Sequence, residues 1–426
     1  MTAGAGRDFR NALNVRCVLT FDFDGVAKMS FRFMKKVMFA ILVGLVVAAQ
    51  IYSQDSQARP GSAAVHQTPQ NSNPARATRE KYAGDDVCSS CHREKVATYH
   101  RTAHYLSSAL PSKDSIAGDF TPGANVMKTG MPGLFFRMEQ KDSGFFQTAV
   151  GIPPDNGSRT ERFDLVIGSG GKGQTYLHWK GDQLFQLPVS YWRELGWVNS
   201  PGYHDGDANF DVPVVPRCLE CHATEFQPMS TSGNRYAVND AVLGITCEKC
   251  HGPGVEHVRR EKSSPRATVA ILNPARFSRD RQIDLCAWCH GGVGVGVAPP
   301  FSYLPGEPLD SYIKRRPFDP GAQIDVHGDQ VDLLRKSRCF QSSEMTCSTC
   351  HDVHTAQHDM NGFSQHCLSC HKPGSDAFPK SGHQASSNCI DCHMPKQGTS
   401  LIVFDWQGHR KTPQVRSHWI KTYPKT

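Results

Sequence analysis

Apolar residues are scarce for a chain of this length: hydrophobic types make up 38% of 426 residues, while glycine (37) and proline (27) are plentiful. The length suggests two or three domains. Such a composition is thin for several ordinary cores, which implies that something other than side chains fills the interior. A run long enough to span a bilayer is also missing. The unbroken apolar stretch Val37 to Ala49 falls short of the about 20 residues a membrane helix needs. Cysteine is the opposite case. Sixteen is far beyond the habit of a cytosolic protein, so these residues either form a disulfide framework or bind something.

Spacing decides between the two. Cys-x-x-Cys-His occurs seven times: Cys88, Cys91, His92; Cys218, Cys221, His222; Cys247, Cys250, His251; Cys286, Cys289, His290; Cys347, Cys350, His351; Cys367, Cys370, His371; and Cys389, Cys392, His393. Two thiols at this spacing add to the two vinyl groups of a haem, and the adjacent histidine falls under the iron as proximal ligand. A zinc ribbon does not require histidine directly after each pair. A redox dithiol would occur once, in a βαβ setting. Seven copies therefore predict seven covalent haems of the c type. Cys339 is left over and is expected to be a buried small hydrophobe.

Haem also accounts for the charge. The formal net charge is +7, and a ferric haem with two ionised propionates carries roughly −1, so nucleic-acid binding is not implied. Lys314, Arg315 and Arg316 are read as exposed, with pairing to propionates as an alternative. Each iron accepts a second ligand. The candidates are His104, His257, His327, His354, His383 and His418, with His100, His178, His204, His358, His366 and His409 in reserve. Met394 follows His393 directly and cannot reach that iron's far face. Mostly bis-His ligation predicts low potentials, because methionine is the ligand that raises them.

Residues 34–58 have a positive start (Lys35, Lys36), the apolar run, and small residues after it, the layout of a secretory signal. Residues 1–58 thus read as a start called too early, before Met29 or Met34, plus the signal, which leaves Cys17 outside the mature protein. Residues 59–80 are a flexible leader, and 81–110 carry the first motif. From 111 to 217 no motif occurs. Instead 133–150, 161–170 and 175–192 alternate apolar and polar residues around tight turns, which predicts a small antiparallel β insertion. Its Gly168-Ser-Gly170-Gly171-Lys-Gly173 matches the dinucleotide fingerprint by letter, but a strand rather than a helix follows. The remaining motifs crowd into 218–426, leaving room for short helices and loops. The fold class expected is a mainly α or irregular, haem-packed cytochrome with a β insertion between the first two haems, including helical pieces at 92–109 and 254–262.

The segments DDVCSSCHREKVATYHRTAH, GITCEKCHGPGVEHV, MTCSTCHDVH and NCIDCHMP resemble the cytochrome c-552/c-554 family of multihaem cytochromes, over roughly 80–420. The resemblance implies paired, mostly bis-His haems in a periplasmic electron carrier, and it supports His104, His257, His354 and His383 as ligands. Tetratricopeptide repeats, common in the broader group, are expected to be absent after the last motif. The leading expectation is an exported bacterial cytochrome passing electrons between a donor and an acceptor redox protein, with membrane association only if the signal is retained. The alternative is an oxidoreductase acting on a small nitrogen or sulfur compound at one open haem. No motif has lysine in place of histidine, the mark of related nitrite and tetrathionate reductases, but hydroxylamine-oxidising relatives keep histidine. A haem wire built by polymerisation is a third class. A pyridine haemochrome assay on the purified protein is expected to return seven haems per chain; four or fewer would undo the motif reading.

Overall fold

The structure is a computed structural model and describes residues 82–263, 271–292, 294–315, 329–372, 375, 388–399 and 402–423. The signal-like segment and leader, His327 and His383 lie outside the described residues. Among the described residues no helix is long and apolar enough to cross a membrane.

Two antiparallel sheets dominate 108–213. Strands β1 (Ser108–Ala109), β2 (Val126–Lys128), β3 (Phe135–Lys141), β4 (Gly144–Ile152) and β5 (Gly157–Arg162) are followed by β6 (Leu165–Ile167), β7 (Gly173–Lys180), β8 (Gln183–Gln186), β9 (Val189–Trp192), β10 (Gly196–Asn199) and β11 (Val212–Pro213). One sheet runs β2-β3-β4-β5. The other runs β1-β6-β7-β8-β11, with β9 paired to β7 and β10 to β9. Alternation along β3 and β4 explains the packing: Phe136, Met138, Phe145 and Ala149 point inward, against Phe163, Tyr176, Leu187 and Trp197. Residues 161–170, read as one strand, divide at Phe163-Asp164 and serve both sheets, while 175–192 holds three strands rather than two. Gly168 and Gly170 turn with φ of 105° and 76° into strand β7.

Gln147 joins the sheets through its side chain. Its amide donates to the Val189 carbonyl (3.1 Å) and its oxygen accepts from the Val189 N–H (2.9 Å). A second core continues from the sheet into the following segment: Leu165, Leu177 and Leu184 pack with Val214, Leu219, Phe226 and Tyr236. Leu219 lies inside the second Cys-x-x-Cys-His copy, so that copy is anchored on the sheet. Strand β1 fixes it from the other side, where Ser107 and Ser108 donate to the His222 carbonyl at 2.9 and 2.7 Å.

Beyond residue 213 the helices are short. The longest among the described residues is Arg279–His290, and Val255–Ser263 and Met360–Leu368 have nine residues each. Upstream, the helix expected from 92 starts earlier and ends sooner, at Asp85–Tyr99, with a 3-10 turn at Tyr105–Ser107. Small hairpins also form near the C-terminal side, Phe404–Trp406 with His409–Lys411 and Lys396–Gly398 with Gln414–Arg416. Gln147→Leu should strand two buried backbone groups and cost about 2–6 kcal/mol, read as earlier loss of the β-sheet circular-dichroism signal on heating.

Candidate metal centres

Every motif copy sits on or beside a helical turn. Residues i, i+3 and i+4 share a helix face, so one turn presents both thiols and the imidazole together. The third copy is the helix Cys247–His251, the fourth ends the helix Arg279–His290, and the seventh ends Ile390–His393. In the first copy the helix departs from regular dihedrals at His92 (φ −110°, ψ 36°). All fifteen described cysteines are free thiols. Cys339 is half-buried, and burial pushes its pKa up.

The copies lie against one another. The Cys88 thiol meets Cys247, Cys221 meets Cys289, and Cys286 meets Cys347. The first copy is thus beside the third, the second beside the fourth, and the fourth beside the fifth. Carboxylates clamp the first contact. Asp85 accepts from the Cys247 N–H (3.2 Å) and bonds His100 (3.1 Å), and Glu248 accepts from the N–H groups of Ala83, Gly84 and Gly254 at 2.7 to 2.9 Å. The potential ligand atoms of Asp85, Cys88 and Cys247 lie within 4.8 Å of one another; two of the three are motif sulfurs.

The histidines form three facing pairs, each made of a proximal candidate and a distal candidate. His104 faces His290 with ring centroids 6.0 Å apart, His354 faces His251 at 6.1 Å, and His418 faces His351 at 6.1 Å. That spacing has a simple reading. Two nitrogens each about 2 Å from one metal stand about 4 Å apart, and about 1 Å more to each ring centre gives about 6 Å. Direct stacking would bring the rings closer, as it does for His100 on Tyr105 at 3.8 Å.

Burial, first of all, lowers the pKa of His104, His290, His351, His354 and His418, and neighbouring imidazoles add to it. His290 and His418 are pushed down to about 4. Neutral imidazole is the form with a free nitrogen lone pair for a metal. Nδ1 of His251 donates to the Leu272 carbonyl (2.8 Å), and Nδ1 of His393 to that of Lys421 (2.9 Å). Each bond fixes the neutral tautomer, with the proton on Nδ1 and the lone pair on Nε2.

The other candidates are placed differently. His257 is half-buried in the helix Val255–Ser263, with no ring against it among the described residues. His178, from the reserve, is a core residue of β7 bonded to the Phe210 carbonyl at 2.7 Å. His100 is held by Asp85 and Tyr105. Met394 makes its carbonyl an acceptor for Arg416. Arg315 is half-buried and pairs with Asp310 and Asp332 rather than standing free. Sequence reasoning missed the stacking of Trp288, inside the fourth motif, on Tyr303; an aromatic between motif cysteines was its only signal.

A sequence model of the family described as cytochrome c554 and c-prime matches residues 197–252. That window carries two complete motif copies and the anchoring core around Leu219. The multiheme cytochrome MtrA of Shewanella baltica (strain OS185) is 22% identical over 200 residues, 44% of this chain and 48% of MtrA. Over these stretches the chain is similar to multihaem cytochromes. The chain spans about half the length of the curated relative it matches. The crystal structure of the outer cell wall cytochrome OcwA superposes with a TM-score of 0.50 over 80% of each chain at 17% identity, a likeness of fold. If every motif thiol holds a haem, alkylation of the denatured protein should label Cys339 and no motif cysteine; labelling at any motif cysteine would mark an unfilled site.

Proposed function

We propose that this chain is an exported electron-transfer cytochrome that holds seven covalent haems, mostly between two histidines, in a haem-packed mainly α or irregular region bearing a β insertion. The observation that carries this is the set of three facing histidine pairs at about 6 Å. The free paired thiols and the neutral imidazoles fit the same group. Haem, when bound, supplies one-electron iron chemistry, with two histidines favouring a low potential.

The chain's own residues do the rest. Cys286 and Cys289 tether and His290 with His104 ligates at the fourth site. Cys247, Cys250, His251 and His354 serve the third, and Cys347, Cys350, His351 and His418 the fifth. His257, His327 and His383 remain proposed ligands for other sites. The placement of the first copy beside the third, the second beside the fourth and the fourth beside the fifth keeps neighbouring sites close, as stepwise electron transfer requires, because tunnelling falls off steeply with distance. The partners proposed are a donor and an acceptor redox protein, and the compartment is extracytoplasmic. OcwA, similar in fold, is an outer cell wall cytochrome, which favours that placement.

Low-temperature EPR of the oxidised protein should show only low-spin iron. His104→Ala, His354→Ala and His418→Ala should each convert one haem's worth of signal to high spin at an unchanged haem count. High-spin iron in the unsubstituted protein would favour an enzyme acting on a small nitrogen or sulfur compound.

A further inference from the structure

Trp288 lies between Cys286 and Cys289, one bond along the backbone from a motif cysteine, and is buried. Its ring stacks on Tyr303 with centroids 4.6 Å apart and planes 14° from parallel. Tyr303 in turn meets Tyr312 edge-on at 5.2 Å. The Tyr312 hydroxyl donates to the carboxylate of Glu307, and Glu307 is exposed. Three oxidisable rings thus run without a break from the fourth motif to a surface carboxylate.

Packing alone does not explain the middle ring. The Tyr303 hydroxyl is buried with no hydrogen-bond partner among the described residues, a placement that costs about 1–3 kcal/mol. Phenylalanine would fill the same space without that cost; tyrosine adds a ring that is far easier to oxidise. With no acceptor for its proton among the described residues, Tyr303 does not settle as a neutral radical and serves as a bridge for the electron between Trp288 and Tyr312. Arg217, over Trp288 at 5.1 Å, disfavours positive charge resting there. Only Tyr312 has a base to take its proton.

We infer that Trp288, Tyr303 and Tyr312 form a one-electron path from the fourth haem to the surface, which discharges radical oxidants arriving at Tyr312. The inference rests on the proposed haem at Cys286, Cys289 and His290. In the first step the oxidant takes one electron from Tyr312, whose proton moves to Glu307, leaving a neutral tyrosyl radical. In the second, one electron arrives through Trp288 and Tyr303 from ferrous iron, which becomes ferric, and Tyr312 regains its proton from Glu307. The net change is one oxidant reduced and one haem oxidised.

The test uses the haem-loaded chain with photogenerated tris(bipyridine)ruthenium(III) as oxidant and freeze-quench EPR as readout. With the haems oxidised beforehand, a tyrosyl radical should accumulate that Tyr312→Phe removes and Glu307→Gln diminishes. With the haems reduced, that radical should vanish quickly, and Tyr303→Phe should make it live about tenfold longer, equivalent to about 1.4 kcal/mol on the barrier. Equal radical lifetimes in reduced and oxidised protein, or no effect of Tyr303→Phe at full haem count, would overturn the path alone. Peptide mass spectrometry finding no haem on Cys286 and Cys289 would overturn the path together with the reading beneath it.

Discussion

Three pairs of facing imidazoles keep a near-constant gap, and the backbone around them is arranged to hold it. The rings of His104 and His290, of His251 and His354, and of His351 and His418 stay near 6 Å apart, wider than a close face-to-face stack such as His100 on Tyr105. Their backbones must be held from outside. The Tyr99 hydroxyl on the Ile245 carbonyl (2.6 Å), the His104 carbonyl accepting from the Ile245 N–H (3.0 Å) and Ser337 bonded to the backbone of His418 and Ile420 are the braces. None of these touches a candidate metal directly, yet each sets where a ligand stands.

The sheets serve the same end. Strand β1 does little as a strand, at two residues, but its Ser108 hydroxyl links the second motif to Gly244, which leads into the third. Gly244 has φ of 70°, and a Cβ there would sit 2.2 Å from the Tyr105 carbonyl oxygen, so this close approach requires glycine. The insertion is a rigid bracket between the first and second motifs, with its own aromatic core.

The sequence carried much of this. The seven copies of one motif announced themselves by spacing, and alternation around Asp142-Ser-Gly144 located the β3–β4 hairpin. The facing of His104, His354 and His418 with particular partners was not legible, because each pair joins segments remote in the chain and no local pattern encodes the match. The split at Phe163-Asp164 escaped for a related reason: a strand that changes sheets keeps its alternation. His178 looks like any other candidate in the sequence, and only its burial beneath the Phe210 carbonyl marks it as part of the β core.

The direction of each histidine pair along the chain matters for how the molecule is made. On the proposed export of the chain from its N-terminus, His104 is delivered long before His290, so the fourth motif meets its facing ring already present. The third and fifth motifs wait instead for His354 and His418, made later. On that proposal maturation is vectorial: the fourth site can close as soon as its own motif emerges, whereas the fifth stays open until the segment around His418 has followed.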